Sequence, residues 1–146
     1  MKVRVPLLPR WIRWVAVVGL AAFIFYASIL SAPPGTVVDD LKPELLPLDK
    51  WRHFLAYAAF GGALAYATTD WEADGRALAA AVVGVTVCYG IGIEFGQSLI
   101  PGRYFSLGDA YANALGGVLV VPYYVVRPHL AFTPVRSWIQ SVAAST

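Results

Sequence analysis

Charge is scarce in this chain of 146 residues: 14% are Asp, Glu, Lys or Arg, against 58% hydrophobic residues. A soluble domain carries about 25% charge and about 45–50% apolar residues. The shift in both numbers makes lipid the expected main solvent. Cysteine is nearly missing, and the single Cys88 excludes an internal disulfide. Basic excess is small. A net charge of +2, with no clustering of basic and aromatic residues, excludes a nucleic-acid surface. No P-loop, dinucleotide-binding glycine motif or Ser/His/Asp arrangement can be read.

What the chain does have is long apolar runs. A bilayer core takes about 20 mainly apolar residues per helix. Four stretches approach this: Trp14 to Leu30, Trp51 to Thr69, Ala77 to Ile100 and Ala110 to Val126. The expected fold is all-α, an integral membrane bundle of about four transmembrane helices. Residues 1–13 form a basic N-terminus, 14–126 the membrane domain and 127–146 a tail. A signal peptide is the weaker reading of the first run, which is long for one and exits into Pro33-Pro34. The longest connection, Ser31 to Leu48, is rich in proline and acidic residues. Leu130, Val135, Trp138, Ile139 and Val142 give the tail roughly helical spacing, as in an amphipathic interfacial helix.

Cytoplasmic loops are enriched in Lys and Arg. With the N-terminus inside, that side carries Lys2, Arg4, Arg10, Arg13, Arg76, Arg127 and Arg136, and the outside carries Lys42, Lys50, Arg52 and Arg103. Both termini are therefore expected in the cytoplasm.

The polar residues within the apolar runs are not scattered. Asp49, His53 and Tyr57 recur at i, i+4 and i+8, Glu94 and Gln97 at i, i+3, and Asp109 and Asn113 at i, i+4. Each set lines one helix face. Because helices in a bundle alternate in direction, the start of the second, the end of the third and the start of the fourth meet at one membrane face. Exposing three polar stripes to lipid there is costly, so they are expected to converge. Small pairs Gly61/Ala65, Gly92/Gly96 and Ala112/Gly116 would allow close helix approach.

Each residue has a functional and a structural reading. Glu94 and His53 suit acid/base work, or a structural pair, with Arg103 as an alternative partner of Glu94. Arg103 follows the Pro101-Gly102 turn and suits phosphate or carboxylate, or headgroup snorkelling. Lys50, Gln97, Asp109 and Asn113 are ligand-binding candidates, or interhelical polar contacts. Ser106 and Asp109 match a capping box, and Asp49 suits an N-cap after Pro47. His53, Glu94 and Asp109 form no dense ligand motif, and His129 falls at the other face. No metal and no cofactor is expected.

The succession Asp49-Lys50-x-x-His53-x-x-x-Tyr57, Glu94-x-x-Gln97 and Gly102-Arg103-x-x-Ser106-x-x-Asp109-x-x-x-Asn113-x-x-Gly116 resembles the VanZ-like family of small membrane proteins. The resemblance covers roughly residues 48–121. It implies a helical membrane domain with these residues as its signature. The founding member is associated with low-level resistance to the glycopeptide teicoplanin, so the resemblance implies a cell-envelope role. Three functions are weighed. The first is binding or shielding of a lipid-linked or anionic envelope component at the outer face. The second is an acid/base enzyme acting on a lipid headgroup. The third is a structural assembly partner. Membrane lipid is the expected partner.

Overall fold

The computed structural model describes residues 2–31 and 48–143, with the side chains of Leu48, Asp49, Ser141 and Val142 outside that description. The proline-rich connection after Ser31 lies almost wholly outside the described residues.

Three long helices follow the apolar runs. Helix α1 spans Arg10–Phe25 and continues as a π-helical turn, Tyr26–Leu30. Helix α2 spans Leu48–Ala67 and α3 spans Gly75–Ser98. The side chain of Asp74 caps α3 by accepting the Arg76 N–H at 3.0 Å. Among the described residues, two helices, Arg10–Leu30 and Gly75–Ser98, are long and apolar enough to cross a membrane.

The fourth run departs from expectation. It is not one continuous helix but two short ones, α4 (Leu107–Val118) and α5 (Val121–Val126). Pro122 lies in the first turn of α5. Proline has no N–H to give, and its ring collides with the carbonyl four residues back, here that of Val118, where α4 ends. The 12 residues of α4 reach about 18 Å at 1.5 Å per residue, short of a hydrocarbon core of about 30 Å.

The all-α expectation also needs correction. Strand β1, Val3–Leu7, pairs in parallel with β2, Leu130–Pro134, with Val3 opposite Leu130 and Leu7 opposite Pro134. Val3, Val5 and Phe132 are residue types that fit a pleated surface. A short helix α6, Val135–Ala143, follows β2. Both arms of the chain thus meet at one end of the molecule.

Polarity is distributed inside out. Val15, Phe23, Leu55, Val85, Phe95 and Leu115 are each more than half exposed. Arg13, Thr86, Glu94, Gln97 and Asn113 are buried. Large apolar faces on several helices are what acyl chains would cover, and inward ionisable groups are the membrane norm.

Helix α2 packs most intimately on α4. A side chain at Gly116 would overlap the carbonyl oxygen of Phe54 and crowd the Ala58 nitrogen, so only glycine permits this approach. Gly61 faces the Gly117 backbone of α4, and Gly96 lies against Ile29. A Cβ at Gly92 would meet nothing within 4 Å among the described residues.

A polar clamp fixes the end where the two arms meet. The buried Arg13 guanidinium donates to both Asp70 carboxylate oxygens, at 3.0 and 2.9 Å, and to the Ala67 carbonyl at 2.9 Å. Tyr66 Oη accepts the Leu8 N–H and donates to the Pro6 carbonyl, tying β1 to α2. Arg127 donates to the Thr69 carbonyl at 2.9 Å. This hydrogen bonding from Arg13 holds the Asp70 carboxyl below the usual carboxylate range.

Candidate functional site

At the far end, α2, α3 and α4 bring their polar stripes together. His53 lies in the second turn of α2, Glu94 one turn before the end of α3, and Asn113 in the middle of α4. His53 Nδ1 is 3.0 Å from Asn113 Oδ1 and 3.9 Å from Glu94 Oε1. Glu94 is fully buried, whereas the His53 side chain keeps 18% of its surface open. The site therefore has a closed floor and a partly open mouth.

The turn into α4 builds one wall. Gly102 has φ of 80°, a left-handed conformation that glycine adopts without steric cost, and it reverses the chain after α3. Ser106 then caps α4, its Oγ accepting the Asp109 N–H at 3.2 Å. In a full capping box the residue at Asp109 would turn back and accept the Ser106 N–H. Here that N–H donates instead to Glu94 Oε2 at 3.3 Å. The Asp109 carboxylate is left to pair with the Lys50 ammonium at 2.6 Å. Both are partly exposed, Lys50 by 22% and Asp109 by 14%.

Helix α1 closes the other wall through its π-helical turn. The Ser28 carbonyl accepts from Gln97 Nε2 at 3.1 Å and from Arg103 Nη1 at 2.7 Å. The half-buried Arg103 thus fastens the end of α1. Its guanidinium does not form an ion pair with Glu94 among the described residues. Arg52, which precedes His53 in the chain, is exposed. Asp49 lies in the first turn of α2, and its side chain is outside the described ones.

Three atoms of the floor stand out. Glu94 Oε1, Tyr57 Oη and Asn113 Nδ2 are buried with no hydrogen-bond partner among the described residues. Buried polar atoms in native proteins are nearly always satisfied, and leaving one unpaired is costly. Tyr57 lies one turn deeper than His53, its ring against Gly90, where a Cβ would meet Tyr57 Cε1 at 3.1 Å and Asn113 Cβ at 2.9 Å. Gly90 was not expected to matter. Its signal was its place one turn before Glu94 on the same face of α3.

The structure thus gathers His53, Glu94, Asn113, Asp109 and Lys50 in one cluster and sets Gln97 and Arg103 beside it against α1. Sequence reasoning missed the acceptor, the Ser28 carbonyl, since a backbone carbonyl leaves no mark in residue type. It also missed the Arg13–Asp70 clamp at the opposite end.

A model of the family described as VanZ/LLP1 matches residues 10–127. No curated protein and no solved structure matches the chain.

Proposed function

The chain belongs to the VanZ/LLP1 family, and from that premise we propose that it is a multi-pass protein of the cell membrane that binds or shields a lipid-linked or anionic envelope component at its outer face. The coarser part needs no proposal: the family and two helices able to cross a bilayer make it a membrane protein. The parallel pairing of β1 with β2 supports termini on a shared side, and the excess of Lys and Arg on those arms favours the cytoplasm.

One observation carries the binding reading. A fully buried Glu94, its Oε1 without a hydrogen-bond partner among the described residues, lies beside the partly exposed His53 and Asp109, and Asp109 pairs with Lys50. A headgroup entering the mouth would meet hydrogen-bonding groups on three helices, and donors on it would satisfy Glu94 Oε1. Its acidic portion would face Arg52, Lys50 and Arg103. Gln97 and Asn113 would hold it laterally.

The test is mass spectrometry of lipids extracted from the purified protein and from Arg103→Ala. The expected result is a headgroup class enriched over bulk membrane with the unaltered protein and depleted with the variant. Extracts that both mirror the bulk lipid would sink the reading.

The 3.9 Å separation of His53 Nδ1 from Glu94 Oε1 favours a second reading, an acid/base enzyme acting on a lipid headgroup. It requires that His53→Ala and Glu94→Gln abolish headgroup turnover while protein abundance holds. A fall in abundance with both variants would instead mark the cluster as a structural lock and the chain as an assembly partner. Any role in glycopeptide resistance rests on the family alone.

A further inference from the structure

The cluster contains more ligand chemistry than hydrogen bonding uses. One ring nitrogen of His53, one oxygen of Glu94 and one of Asp109 all lie within 4.8 Å of one another. They come from α2, α3 and α4, so the helix packing itself assembles them. A second observation points the same way. Glu94 is fully buried and its Oε1, turned toward His53, has no hydrogen-bond partner among the described residues. Ser106 N–H serves only the other oxygen.

We infer that His53, Glu94 and Asp109 hold a divalent cation of the zinc or manganese class, with its remaining coordination positions open toward the outer mouth. A nitrogen donor beside two carboxylates suits these ions better than magnesium or calcium, which take oxygen ligands. Three protein ligands with one position left open is the arrangement of reactive rather than purely structural zinc. Tetrahedral ligand atoms at about 2.1 Å from the metal lie about 3.4 Å apart, so binding draws the three side chains inward. The cation then competes with the Lys50 ammonium for Asp109.

The inference also changes how an anion would be held. Lys50 pairs with Asp109, and Arg103 is tied to Ser28. A bound cation adds positive charge to that of Lys50 and Arg103, each of which already serves an acceptor. This last step rests on the binding reading above, whereas the cation site does not.

The full-length protein, purified in detergent and stripped with chelator, is loaded with Zn²⁺, Mn²⁺ or Mg²⁺ and dialysed, and its metal content is measured. About one Zn²⁺ or Mn²⁺ per chain is expected, with a raised Tm. Glu94→Gln and Asp109→Asn should each weaken retention at least tenfold. Asp109 lies at the mouth, so its variant remains informative if the buried Glu94 variant fails to fold. No retention, retention of Mg²⁺ alone, or equal retention by a monodisperse Asp109→Asn protein would overturn the site. In a second arm, Mn²⁺-loaded protein should broaden the ³¹P resonance of inorganic phosphate, and Asp109→Asn should abolish this. Metal retained without broadening keeps the cation and overturns its role toward anions. Phosphate bound equally by stripped protein overturns that role while sparing the binding reading.

Discussion

Asn113 turns its amide oxygen to within 3.0 Å of His53 Nδ1. An amide oxygen only accepts, so in this arrangement Nδ1 is the donor. A buried side chain on α4 thereby sets the chemical character of a half-open side chain on α2.

Asn113→Ala should free the ring to exchange tautomers and should lower stability by about 1–3 kcal/mol, the usual cost of orphaning a buried polar contact. Nitrogen-15 shifts of the His53 ring report the first effect and Tm in detergent the second. Unchanged ring shifts would show that Asn113 does not control the tautomer.

The approach of α2 to α4 depends on Gly116. Gly116→Ala would drive a methyl into the Phe54 carbonyl, with a cost of about 1–3 kcal/mol for forced overpacking. Gly92→Ala, where the added Cβ would meet nothing within 4 Å among the described residues, should leave Tm unchanged or raise it slightly through better helix propensity. Equal Tm values for the two variants would contradict the packing described.

Arg103 and Gln97 converge on one carbonyl of the π-helical turn. Arg103→Ala should raise amide exchange across Tyr26–Ser31 by about tenfold or more, as a hydrogen bond from a charged donor contributes about 1.5–3 kcal/mol. Exchange in α4 should change little. Slow exchange at Tyr26–Ser31 in the variant would place the anchor elsewhere.

At the opposite end, Asp70→Ala strands a buried guanidinium whose partner is removed. The Asp70 side chain is 37% exposed, so water offsets part of the loss, and a cost of about 2 kcal/mol is expected. A thermal melt of the purified variant reads it.

The same pair predicts a dependence on acid. The folded pKa of Asp70 lies below its ordinary value near 3.8. The folded state therefore binds the proton less readily than the unfolded state does. The stabilisation is fully present above that ordinary value and is lost as pH falls through the lower, folded one. The Tm difference between the unaltered protein and Asp70→Asn should be constant near neutrality and shrink below about pH 4. A gap that widens in acid would reverse the assignment.

The candidate site was legible because its residues repeat at helical spacing within apolar runs, where a polar side chain stands out. His53, Glu94 and Asn113 needed only the alternation of helix direction to be placed at one level. The kink at Pro122 was legible in principle, but the hydrophobic run concealed it: hydropathy is additive, while the loss of one N–H is not. The strands were hidden by length. Five residues such as Val3–Leu7 carry too little alternation to compete with the signal of the neighbouring span. The Arg13–Asp70 pair was hidden for another reason. Each residue reads as an ordinary flanking charge until the return of α2 brings Asp70 back to the start of α1.

The pairing of β1 with β2 has a temporal meaning. Strand β2 leaves the ribosome only after α1 to α5 have been made, so β1 must wait with an open edge while the helices are synthesised. The sheet then acts as a clasp that can fasten only once the last-made strand has been brought back beside the first.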